Sequence, residues 1–64
     1  MTKKQLAVVE KYEEKLLSLC GMGDNEAAHA YADDLILSAL DELGFGQLSK
    51  AWRKVENDVG FWYA

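Results

Sequence analysis

The chain has 64 residues, of which half are hydrophobic and 28% are charged, and its net charge is −4. This composition is typical of a globular protein and excludes a disordered one, and the length allows one domain near the lower limit for a single hydrophobic core. Cys20 is the single cysteine, which excludes a disulfide within the chain. No apolar run approaches the roughly 20 residues that span a bilayer. We therefore expect one domain, residues 1–64, in a reducing compartment such as the bacterial cytoplasm.

A first helix is predicted over residues 3–20. Thr2 and Gln5 have the spacing of a capping box, which marks a helix start. At 3.6 residues per turn, apolar side chains cover about half of the circumference of this helix, and charged side chains fill the rest. Glu13 is an exception, because it faces the apolar side. Because the stripe is so wide, we expect the first helix to contact two other elements, either both of the other helices or one helix and a second subunit.

A second helix is predicted over residues 25–43, with Asp24 as its N-cap. Gly44 and Phe45 follow it in the pattern of a Schellman motif, which ends a helix. Leu37 lies among acidic residues on the helical wheel, so we expect it to be exposed. The predicted apolar face consists of Ala28, Ala32, Leu35, Ile36, Ala39, Leu40 and Leu43.

A third helix is predicted over residues 47–59, ending at Gly60. Its apolar stripe consists of Leu48, Ala51, Trp52, Val55 and Val59. Strand signals and internal repeats are absent from the sequence. The fold class that follows is all-α: three short helices in a small bundle.

The aromatic ending is predicted to dock on this bundle, because exposed aromatic residues at a terminus invite association. We expect Trp62 to be buried against the first helix and Phe61 or Tyr63 to face a partner. In the alternative interpretation, all three rings complete an undersized core.

Glu26, His29 and Asp33 are the candidates for a metal site. The Glu-x-x-His spacing on a helix supplies carboxylate and imidazole ligands to di-iron centres in helical bundles. A metal-dependent helical enzyme is therefore one alternative. Such a site needs further carboxylates that point inward from other helices, and the first helix offers Glu13 alone. We expect no cofactor, no metal and no enzymatic activity.

The acidic second helix suggests a different kind of site. Leu37 among carboxylates such as Asp33 and Asp41 has the pattern of an interface anchor with a charged rim, and such a surface could also imitate DNA phosphates. Weak helix-turn-helix binding to DNA through Lys50, Arg53 and Lys54 is a further alternative. The net negative charge argues against nucleic acid as a partner, because phosphates would be repelled.

Three ordered motifs mark the second half of the chain: H-x-x-A-D at residues 29–33, L-G-aromatic at residues 43–45 and W-Y-A at residues 62–64. Over residues 26–64 this pattern resembles a group of small proteins encoded in bacteriophages and prophages. The resemblance implies an all-helical fold and a bacterial host cell, and it assigns no activity. If the pattern marks a site, its positions are His29, Asp33, Trp62 and Tyr63.

The function expected from these observations is non-enzymatic binding to another protein, either a second copy in a homodimer or a host protein. No membrane partner is expected. The predicted partner-binding residues are Leu37, Asp33, Asp41, Phe61 and Tyr63.

Overall fold

The structure, a computed structural model, describes residues 1–61. It contains α1 (Lys3–Leu17), which a 3-10 turn (Ser18–Gly21) prolongs, α2 (Asn25–Glu42) and α3 (Gly46–Val59). The prediction of a small all-α fold with three helices is confirmed.

The predicted start signals of α1 and α2 are confirmed. The Thr2 hydroxyl accepts a hydrogen bond from the Gln5 backbone N–H at 3.1 Å, and the Gln5 side chain accepts one from the Thr2 N–H at 2.9 Å. The Asp24 carboxylate accepts one from the Ala27 N–H at 3.0 Å. These bonds satisfy backbone donors that have no partner inside the helix.

The predicted Schellman motif after α2 is also confirmed. Gly44 has a φ of 91°, in the left-handed region that favours glycine. The Phe45 N–H donates to the Leu40 carbonyl at 2.7 Å, and the Gly44 N–H donates to the Asp41 carbonyl at 3.1 Å. This tight turn sends α3 back along α2.

The three helices form a single layer with α2 in the middle. Lys11 of α1 pairs with Glu42 at the end of α2, and Arg53 of α3 pairs with Asp34 of α2, so α2 has one outer helix along each edge. The Cα atoms span 36 × 30 × 10 Å. Two stacked helices would need about 13–15 Å, which is an interaxial distance of 8–10 Å plus the Cα radius of about 2.3 Å on each side. Neither outer helix therefore covers the broad faces of the layer.

Leu37 is buried, and its predicted exposure is wrong. It is 3% exposed and is the buried apolar residue of the described chain. The prediction assigned faces by counting neighbouring charges on α2, but α3 packs against the side of α2 that carries Leu37. The carboxylates beside Leu37 are compatible with this contact because α3 supplies them with donors.

Ser49 of α3 is the main polar donor at the contact between α2 and α3. It is 2% exposed, and its hydroxyl donates a hydrogen bond to the Asp41 carboxylate. The Gly46 carbonyl lies 3.0 Å from the same hydroxyl. A hydroxyl has one proton, and the charged carboxylate is the stronger acceptor. A buried polar group therefore joins the two helices.

The predicted apolar stripe of α3 does not face α2. Leu48 is 61% exposed and Val59 is 68% exposed, whereas Ser49 is buried. In this rotation Ser49 donates a hydrogen bond to Asp41 and Arg53 pairs with Asp34. Most of the stripe consequently has no cover within the described residues.

Candidate functional site

One broad face of the layer carries the cross-helix ion pairs. Lys11 Nζ lies 2.7 Å from Glu42 Oε1, and Arg53 lies 3.7 Å from Asp34 Oδ1. On the helical wheel of α2, Asp34 and Glu42 are about 80° apart, so they share a side of that helix. We call this side of the layer the charged face and define it by Lys11, Asp34, Glu42 and Arg53.

The opposite face carries exposed apolar side chains from all three helices. On α2, Ile36 lies about 160° from Asp34 and about 120° from Glu42. On α1, Leu6 and Leu17 lie about 120–140° from Lys11, and on α3 the residues of the exposed stripe lie about 120–160° from Arg53. The exposed large apolar residues that point to this side define the apolar face: Leu6, Leu17, Ile36, Leu48, Val55 and Val59.

The apolar face also contains an open groove between α1 and α2. The groove has a cavity volume of about 340 Å³, and its lining includes Val9, Leu16 and Leu17 of α1 together with Ile36 of α2. Glu13 contributes the one carboxylate of this lining. The sequence prediction that Glu13 lies on the apolar side is thus confirmed.

The width of the α1 stripe was the sequence signal for the apolar face. Among the described residues, α2 packs against one edge of that stripe, and Leu17 remains 64% exposed. The second neighbour that the stripe predicts is therefore not α3. The apolar stripe of α3 is not a comparable signal, because a single stripe on a helix is equally well explained by packing within the chain.

The candidate metal residues do not form a cluster. His29 and Asp33 pair along one side of α2, with Nε2 and Oδ2 3.4 Å apart. No group of three or more His, Cys, Asp or Glu side chains within residues 1–61 could hold a metal ion. Glu26 therefore does not complete a metal site with His29 and Asp33.

Most of the charged residues of α2 and α3 that the sequence suggested for partner or DNA binding are paired with other side chains of the same chain. Asp33 is paired with His29, and Asp41 accepts from Ser49. Arg53 is paired with Asp34, and Lys54 Nζ lies 2.8 Å from Asp58 Oδ2. Leu37 lies under α3, so the predicted exposed anchor with an acidic rim is not present on this surface.

The aromatic ending is described as far as Phe61. Its ring packs edge-on against Trp52, with ring centroids 5.6 Å apart and an interplanar angle of 64°, and it remains 40% exposed. Such edge-on pairs are favourable because the positive edge of one ring meets the negative face of the other. The predicted burial of Trp62 and the predicted partner contact of Tyr63 lie outside the described residues.

Tyr12 belongs to the charged contact between α1 and α2. The Lys11 ammonium lies 4.9 Å from the centroid of its ring. Hydrogen bonds from Lys11 and then from Tyr12 lower the pKa of Glu42. Hydrogen bonding to Glu42 also raises the pKa of Lys11 and the pKa of Tyr12.

These shifts predict a pH window for the stability of the α1–α2 contact. The contribution of Glu42 is complete above its ordinary pKa of 4.5 and is lost as the pH falls through its lowered folded pKa. The contribution of Tyr12 and Lys11 is complete below pH 10.0 and is lost as the pH rises through their raised pKa values. We expect Glu42→Gln to lower the melting temperature inside this window and to have a vanishing effect outside it.

Thermal unfolding followed by circular dichroism from pH 3 to pH 11 checks this expectation. Glu14→Gln is the matched control, since it removes one carboxylate from the exposed side of α1. Equal effects of the two substitutions at neutral pH would contradict the assignment to the Lys11–Glu42 pair.

Comparisons of the chain with protein-family models, with curated proteins and with solved structures gave no match. Among the described residues, no helix has the length and apolar character needed to cross a membrane.

Proposed function

We propose that this chain is a non-enzymatic protein that acts by binding another protein through its apolar face. The observation that carries the proposal is the segregation of the layer, with exposed aliphatic side chains on one face and cross-helix ion pairs on the other. Contiguous exposed apolar surface on a small protein is typical of an interaction site. The resemblance to phage-encoded proteins supports a partner inside a bacterial cell, either a second copy or a host protein.

The small core supports the same proposal. Half of the residues are hydrophobic, yet Leu37 is the buried apolar residue of the described chain. A chain of about 60 residues is marginally stable even when it buries about 60% of the surface that its unfolded form exposes. The present chain keeps 4980 Å² exposed, against roughly 10,400 Å² expected for the unfolded chain. It therefore buries only about half, and a partner would supply the missing burial.

Site-specific photo-crosslinking in bacterial cells tests the proposed function. p-Benzoylphenylalanine is placed at position 55, on the apolar face, and in a second strain at position 57, which lies about 160° away around α3. We expect a defined protein adduct from position 55 and none from position 57. Adducts of equal yield at both positions, or none at either, would contradict binding through the apolar face.

A further inference from the structure

We infer that the partner of the apolar face is a second copy of this chain, so that two layers pack face to face into a six-helix dimer. The inference rests on the proposed function of the apolar face and names its occupant. A two-fold axis between the copies produces this packing, because each copy then contacts the other through the same surface patch.

The thickness of the layer favours this arrangement. Stable domains place two layers of secondary structure around one core, because an amphipathic helix must bury its apolar side against another element. The Cα atoms of this chain fill a slab 10 Å thick, which is one layer of helices. A second identical layer supplies the missing half of a two-layer core.

The exposed area agrees with a dimer in magnitude. A folded monomer of 7.2 kDa is expected to expose about 4100 Å², whereas this chain exposes 4980 Å². The excess of roughly 900 Å² is close to the ~800 Å² that each partner buries in a standard protein interface. The 36 × 30 Å outline of the layer limits one broad face to roughly 1000 Å², so the face is large enough for an interface of that size.

The distribution of charge lowers the electrostatic cost of self-association. Two copies with a net charge of −4 each repel one another. The four residues that define the charged face point away from a partner on the apolar face. These residues therefore oppose no like charges across the contact, and Glu13, the carboxylate in the lining of the groove, is the acidic group of the apolar face that the dimer must accommodate.

The test is the solution mass of the purified full-length chain, measured by sedimentation equilibrium from micromolar to about 1 mM. We expect a dimer, with twice the chain mass of 7.2 kDa. Val55→Lys puts an ammonium on each side of the two-fold axis and is expected to weaken association about 100-fold or more. Asn57→Lys adds the same charge to the same helix on the side away from the apolar face, and it should leave the association unchanged.

Circular dichroism confirms that each variant is helical. If Val55→Lys unfolds, Val59→Lys replaces it, because the Val59 side chain is 68% exposed in the single chain. A folded wild-type monomer at every concentration overturns the inference. A dimer that both apolar-face variants leave intact also overturns it, since another surface must then be the interface.

These results distinguish the inference from the proposed function. A purified monomer whose position 55 cross-links to a different protein in cells overturns the inference and leaves the proposed function standing. A folded monomer that binds phosphatidylcholine vesicles instead, and forms no protein adduct in cells, overturns both.

Discussion

Replacing Leu37 by alanine is expected to lower the free energy of unfolding by about 2–5 kcal/mol, the range observed when a buried leucine is truncated and leaves a cavity. A domain of this length has a total stability of roughly 3–10 kcal/mol. Leu37 lies 3% exposed between α2 and α3, so its truncation removes apolar contact from both helices. We therefore expect a substantially unfolded population of L37A at 25 °C.

Urea denaturation followed by circular dichroism measures this loss. Leu48→Ala is the matched control, because it is the same substitution at a side chain that is 61% exposed. Both changes are made in the Val55→Lys background, so that self-association contributes to neither. L48A is expected to change the free energy of unfolding by less than about 1 kcal/mol. A loss in L37A as small as that in L48A would show that α3 does not pack on Leu37.

Replacing Asp41 by alanine is expected to lower the free energy of unfolding by about 2 kcal/mol, because a hydrogen bond to a charged group is lost. Asp41 is the acceptor for the hydroxyl of buried Ser49, and hydrogen bonds to charged groups contribute roughly 1.5–3 kcal/mol. Its carboxylate also lies near the first residue of α3: a Cβ at Gly46 would be 3.2 Å from Asp41 Oδ1. The N-cap residue of α3, Phe45, makes no side-chain capping bond. Asp41 therefore places a negative charge where the helix dipole favours one.

Asp34→Ala is the control for this second experiment. It removes a carboxylate from the same helix, but its side chain is 69% exposed and lies 3.7 Å from Arg53. Exposed ion pairs contribute between about 0 and 1 kcal/mol. We expect D34A to stay within that range under the denaturation conditions used for D41A. If D34A were the more damaging change, the contact between α2 and α3 would depend on the ion pair.

The helix starts and the end of α2 were predictable because their signals are local, whereas α1 ends at Leu17, three residues before its predicted end, and continues as a 3-10 turn. The capping box of Thr2 and Gln5 and the Schellman pattern of Gly44 and Phe45 each involve residues that are a few positions apart. Such bonds form regardless of what the rest of the chain contacts. The order of three helices joined by short turns was predictable for the same reason.

The packing face of each helix was not predictable to the same degree. For α2 the count of neighbouring charges placed Leu37 in solvent, whereas Ser49 and Arg53 from α3 provide the donors that let this side be covered. For α3 the sequence identified the apolar stripe but not what covers it, and Leu48 of that stripe is exposed. Both cases have one cause: periodicity identifies an apolar side of a helix but not the element that covers it.

The apolar face, too, was predictable only in part. The sequence indicated that α1 has more apolar surface than one neighbour can cover, and it placed Glu13 on that surface. It could not indicate that the three helices lie in one layer, because this depends on the rotation of α3 about its axis. In that rotation Ser49 donates a hydrogen bond to Asp41 and Arg53 pairs with Asp34 across the α2–α3 contact.

By itself the sequence determined an acidic, all-α chain with three helices and their caps, since composition and local hydrogen bonding suffice for those features. Only the tertiary structure decided that Leu37 is core and that Leu17, Ile36 and Val55 share one open face. The physical reason is that burial is a property of pairs of helices. Residues far apart in the chain must meet before a side chain is removed from water, and the stretch around each residue does not specify its partner.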